Sequence, residues 1–167
     1  KFRNDKKGLK NPIICYGKGK KIGYVERDEI KQNTDWIDRY KVFTPYANNI
    51  GTELNDDNLN SFIGIPKEIC TETYLVIGAE LDLDKNSALN LTRYLSTKFL
   101  RLLLSLSKAS QHATSKTYRF VPLQDFTNNS DIDWSKTIAE IDQQLYKKYN
   151  LSEEEIAFVE SMIKPMN

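Results

Sequence analysis

Residues 87–107, SALNLTRYLSTKFLRLLLSLS, decide how this chain folds. Leu89, Leu91, Tyr94, Leu95, Phe99, Leu102, Leu103 and Leu106 recur at helical spacing. That pattern predicts one long amphipathic core helix from about Ser87 to Ser107. Asp84, Lys85, Asn86 and Ser87 offer its N-cap.

The elements on either side are short and of mixed type. Upstream, Ile13–Tyr16 and Ile22–Val25 flank Gly17-Lys18-Gly19-Lys20-Lys21 and read as a hairpin. Arg27–Arg39 reads as a short helix broken near Asn33, and Lys41–Thr44 as a strand. Residues 45–62 are rich in Asn, Asp and Gly and read as a long loop. Thr71–Gly78 is β-branched and aromatic and ends in glycine, the clearest strand of the chain. Downstream, Ala109–Thr117 is a polar loop and Tyr118–Pro122 alternates as a strand. Asp133–Tyr149 and a segment opened by the capping box at Ser152 read as two C-terminal helices. Without a regular βαβ alternation, the class is α+β, an irregular α/β layout. Residues 1–11 are expected to be a basic linker or arm, and residues 12–167 a single domain. The first residue is Lys rather than Met, in the midst of a polar stretch, as expected for a fragment of a longer protein.

Charge is concentrated rather than general. The 167 residues carry a net charge of +1, yet no Asp or Glu occurs from Lys85 to Gln124. That stretch holds Lys85, Arg93, Lys98, Arg101, Lys108, Lys116 and Arg119. A second cluster, Lys1, Arg3, Lys6, Lys7, Lys10, Lys18, Lys20 and Lys21, opens the chain. Segregated positive charge suits a polyanion, and nucleic acid is the commonest. The plainer alternative is a solvated helix face. The region from Asp131 to Lys164 is acidic, with eight acids against four bases, and is expected to face away from nucleic acid.

Catalytic patterns are missing from the sequence. There is no nucleophile elbow. Gly17–Lys21 lacks the spacing and terminal hydroxyl of a phosphate-binding P-loop. It reads as a turn with solubilising lysines or as a phosphate-backbone contact. Glu26, Asp28, Glu29 and Lys31 lie in a turn-to-helix setting unsuited to a nuclease site. Cys15 and Cys70 form no CxxC pair and read as free buried thiols of a reducing cytoplasm. The single histidine, His112, lies far from any acid in sequence. It reads as an exposed loop residue or as a base-edge or phosphate contact. No apolar run approaches the roughly 20 residues of a membrane span. Asn11-Pro12 is followed by Ile13, not by the second Pro and aromatic residue that hold a flipped base in amino-methyltransferases. A glycine-rich loop for S-adenosylmethionine is also missing.

Six segments nevertheless occur in a telling order. They are residues 21–30 (KIGYVERDEI), 35–42 (DWIDRYKV), 69–78 (ICTETYLVIG), 94–101 (YLSTKFLR), 120–126 (FVPLQDF) and 145–156 (LYKKYNLSEEEI). Together, over about residues 10–167, they resemble the C-terminal portion of bacterial adenine-specific DNA methyltransferases of restriction–modification systems, the amino-methylases related to fused type II restriction enzymes. The resemblance implies a target recognition domain, laid out like the specificity domains of type I systems. Catalysis and the S-adenosylmethionine cofactor then belong to the upstream part of the parent, and this fragment is neither an enzyme nor a cofactor binder. The implied partners are double-stranded DNA, the upstream methyltransferase domain and, as a further candidate, a restriction subunit. No membrane partner is expected. Such a module needs cations on phosphates and polar groups at base edges. Lys18, Lys20, Lys21, Arg93, Lys108, Lys116 and Arg119 suit the first role. Ser110, Gln111, His112 and Ser115 suit the second. The alternatives are a nuclease- or helicase-associated segment of a restriction enzyme, or a protein-interaction module.

Overall fold

A computed structural model describes residues 1–46, 60–107 and 115–166. In chain order the elements are β1 (Pro12–Gly17), β2 (Lys21–Glu26), β3 (Lys41–Pro45), β4 (Phe62–Gly64), β5 (Glu68–Cys70) and β6 (Tyr74–Ile77). Then come α1 (Lys85–Leu95), α2 (Lys98–Ser107), α3 (Ile138–Lys148) and α4 (Glu153–Met162). Short 3-10 turns occupy Lys18–Lys20, Arg27–Glu29, Thr34–Trp36 and Ser115–Tyr118. The fold is α+β, as the mixture of short strands and helical stripes requires.

The strands form two three-stranded sheets. The first has the order β2-β1-β5, with β1–β2 antiparallel (Ile14 opposite Tyr24) and β1–β5 parallel. The second is antiparallel, with the order β4-β3-β6 and Pro45 opposite Tyr74. Tyr16 of the first sheet meets Phe43 and Phe62 of the second at ring-centroid distances of 5.8 and 5.0 Å. Tyr74 adds to the cluster, 5.5 Å from Phe62. Edge-on aromatic packing of this kind joins the two sheets. The hairpin and β3 lie where the sequence places them, although Val42 and Phe43 are both fully buried, so β3 is covered on both faces. The expected strand Thr71–Gly78 shortens to Tyr74–Ile77, its first residues forming a turn in which the Tyr74 N–H bonds the Thr71 carbonyl. β4 and β5 are three residues each, too short to show a period.

Two buried devices hold the loops between strands. Lys41, 2% exposed, points its ammonium at the carbonyls of Trp36, Ile37, Arg39 and Ile65, at 2.9–3.3 Å. Burial pulls its pKa down to about 8. At the end of β6, Gly78 has φ +80°, and a Cβ there would stand 2.6 Å from Leu91 of α1. Glycine takes both the left-handed turn and that close approach without strain.

The expected long helix is two helices. Ser96 and Thr97 turn their hydroxyls onto the carbonyls of Thr92 (2.9 Å) and Tyr94 (2.7 Å). Such back-bonding competes with helix propagation. Thr97 Oγ1 then accepts the Leu100 N–H at 3.2 Å. Asp142, buried on α3, accepts the N–H groups of Lys98 (3.0 Å) and Phe99 (2.9 Å). The first turn of α2 is therefore capped by a side chain 44 residues away from Lys98. The two C-terminal helices occur as expected, each opened by a capping box, at Thr137 and at Ser152. The first starts at Ile138 rather than Asp133.

Tyr118–Pro122 is not a strand. The Val121 N–H bonds the Tyr118 carbonyl in a turn, Pro122 has no N–H, and the Pro122 carbonyl accepts the Tyr94 hydroxyl at 2.8 Å. Residues 122–136 strap across the helices. Trp134 Nε1 donates to the Asp125 carbonyl, and Asn90 donates to that of Phe126. Leu91, Tyr94, Phe99, Leu104, Trp134, Ile141 and Leu145 share the core beneath.

Residues 1–11 lie along the first sheet. The N–H of Arg3 bonds Tyr24 at 2.9 Å, and the Phe2 ring covers Gly23 so closely that a Cβ there would overlap it. No helix among the described residues is long and apolar enough to cross a membrane.

Candidate nucleic-acid interface

Three lysines crowd the turn between β1 and β2. Gly19 and Lys20, at φ 68° and 60°, reverse the chain. The Lys20 N–H is pinned at 2.9 Å by the Tyr74 hydroxyl of the second sheet. Lys18, Lys20 and Lys21 are all exposed. Lys20 Nζ lies 4.8 Å from the Phe62 ring centroid, and Lys21 Nζ lies 5.9 Å from that of Phe2. Among the described residues none of the three forms an ion pair. Three exposed ammoniums on a turn anchored from behind make a place for phosphate oxygens.

A groove of about 640 Å³ opens beside the turn, walled by Lys18, Gly19, Lys20, Tyr46, Thr73 and Tyr74. Asn60 adds polar atoms to it, and Glu72 a carboxylate that offsets part of the lysine charge there. Its walls come from distant parts of the chain, joined by the Pro45–Tyr74 register and the 2.8 Å bond from the Tyr46 N–H to the Thr73 carbonyl. Sequence reading missed Tyr46, Asn60 and Thr73 as site residues, because no local pattern brings these ends together.

The other proposed phosphate contacts are dispersed. Arg93 donates to the Lys136 carbonyl at 3.0 Å and lines a separate groove with Asp131 and Asp133. The lysine turn does not line that groove, and the two acids there oppose a phosphate. Lys116 and Arg119 are exposed, the Arg119 guanidinium 4.5 Å from the Phe120 ring centroid. Lys108, Ser110, Gln111 and His112 lie outside the described residues. Ser115 opens the last 3-10 turn, and its side chain is likewise outside the description.

The acid-free helical stretch is not a free basic face. Arg101 is fully buried. Burial lowers its pKa to about 10, and the Asp142 carboxylate is within electrostatic reach. Lys98 forms an ion pair with Glu160 of α4. The acidic C-terminal helices therefore neutralise charge that looks isolated in sequence. Burial pushes the Asp142 carboxyl up to about 6, against the two N–H groups it accepts.

The carboxylates of Glu26 and Glu29 are engaged in holding the N-terminal arm. Glu26 accepts the N–H groups of Lys10 (2.7 Å) and Asn11 (2.9 Å). Glu29 is bidentate to Arg3, which holds its carboxyl at about 2. Cys15 and Cys70 are free thiols on the neighbouring strands β1 and β5, and burial raises them to about 11 and 12. Among the described residues no group of three or more His, Cys, Asp or Glu is placed to hold a metal ion.

No protein-family model, curated protein or solved structure matches the chain.

Proposed function

We propose that this chain is a DNA target recognition domain, supplying sequence specificity to an adenine-specific DNA methyltransferase of a restriction–modification system. The observation that carries the reading is the lysine turn: Lys18, Lys20 and Lys21 are exposed, form no ion pair among the described residues and are tied by the Tyr74 hydroxyl beside a groove of about 640 Å³. The family resemblance names the partner, duplex DNA. The upstream methyltransferase domain of the parent then provides S-adenosylmethionine and the chemistry. Phosphates are held by Lys18, Lys20 and Lys21, with Lys116 and Arg119 as outlying anchors. Bases are read by Ser110, Gln111, His112 and Ser115.

The test is titration of a labelled duplex at several salt concentrations. Non-specific affinity of about 1–100 μM at physiological salt is expected, falling steeply as salt rises. Converting all three turn lysines to Ala should weaken every sequence alike and flatten the salt slope by up to about three charges. Wild-type protein that binds no duplex even at low salt would remove DNA as the partner.

A further inference from the structure

Helix α4 carries an apolar stripe wider than the face it turns to the core. Val159, 2% exposed, packs into the core with Ile156, and Ile163 just past the helix is buried as well. Phe158 and Met162, one turn apart, face outward at 50% and 53% exposure. Lining the same groove as Phe158, Leu106 near the end of α2 is 70% exposed. Between the two helices runs a groove of about 420 Å³, with Leu102, Leu103, Leu106 and Phe158 along it and Glu154 and Glu155 at its rim. A helix whose apolar stripe runs on past its core-facing edge, as Phe158 does beside Val159, is ordinarily covered there as well.

The rim charge says what kind of occupant fits. Glu153, Glu154 and Glu155 fill the first turn of α4. No basic side chain lines the groove among the described residues. The cations of α2 are engaged elsewhere, Lys98 with Glu160 and Arg101 in the core. An apolar trough with an acidic edge repels a phosphate backbone and favours a helix with a hydrophobic stripe and a cationic flank. We infer that the α2–α4 groove docks a basic amphipathic helix of a protein partner. It is a second binding surface, of opposite charge character to the lysine turn.

Two synthetic helical peptides test this on the whole chain. Both carry the same leucine stripe, one flanked by lysines and the other by glutamates. The lysine-flanked peptide should bind at least about tenfold more tightly by fluorescence anisotropy. Leu106→Asp and Phe158→Asp, at exposed positions, should each weaken it by about tenfold or more. Pairing Glu154→Gln with Glu155→Gln, which keeps the capping box, should narrow the gap between peptides. Circular dichroism melting confirms the fold of each variant, and Phe158→Ser replaces any aspartate variant that melts early. Equal binding of both peptides would overturn the inference, as would binding unchanged by the groove variants. So would a wild-type dimer in sedimentation that Phe158→Asp dissolves, because a second copy would then cover the face.

Discussion

Truncating Phe99 to Ala tests the junction between α2 and the C-terminal helices. The Phe99 ring is 6% exposed and stacks on Tyr149, with centroids 5.1 Å apart and planes inclined by 14°. The Phe99 N–H is held by Asp142, so the backbone cannot follow the lost ring inward without breaking a buried hydrogen bond. A cavity therefore persists, and Phe99→Ala should cost about 3–5 kcal/mol. For a chain of this size that lowers Tm by about 6–20 °C. Phe99→Leu, which leaves most of the volume filled, should cost clearly less. A double-mutant cycle with Tyr149→Leu should return a coupling of about 0.5–1.5 kcal/mol from the stacked pair. Thermal unfolding followed by circular dichroism, with urea titration as a second measure, reads all of these. A Phe99→Ala protein melting within about 2 °C of wild type would refute the placement of α2 in the core.

Gly78→Ala should destabilise by about 1–3 kcal/mol, since it combines positive φ with a Cβ 2.6 Å from Leu91; urea midpoints measure it, and an unchanged midpoint contradicts the turn. Lys41→Met should cost about 2–4 kcal/mol, because four loop carbonyls lose a buried donor; wild-type stability in the variant would mean that water replaces the ammonium readily. Docking of the N-terminal arm should depend on acid. Glu29 is held at about 2 in the fold by Arg3, against an ordinary 4.5, so its contribution is complete above about 4.5 and is lost as pH falls toward 2. The protection of the Arg3 and Tyr24 amides, measured relative to the intrinsic exchange rate at each pH, should fall over that window, and Glu29→Gln should remove the dependence.

Local periodicity carried the elements that bury a face alone. Ile13 and Cys15 alternate into β1, and the stripes around Ile141 and Val159 define α3 and α4. The lysine turn was legible for the same reason, since its glycines and lysines act within a few residues. Charge balance was not. Burial of Arg101, pairing of Lys98 with Glu160 and capping of Lys98 and Phe99 by Asp142 join residues more than 40 positions apart. Such pairings turned an apparent basic helix into a neutralised core helix broken at Ser96–Thr97. The groove beside the lysine turn likewise exists only once Pro45 lies opposite Tyr74. Short-range sterics and hydrophobic alternation are written into neighbouring residues, so the sequence alone determined β1, the two C-terminal helices and the lysine turn, but not β4, β5, the helix break at Ser96–Thr97 or the turn at Tyr118–Pro122. Electrostatic pairing and groove walls depend on which distant surfaces meet, and the tertiary structure alone decided those.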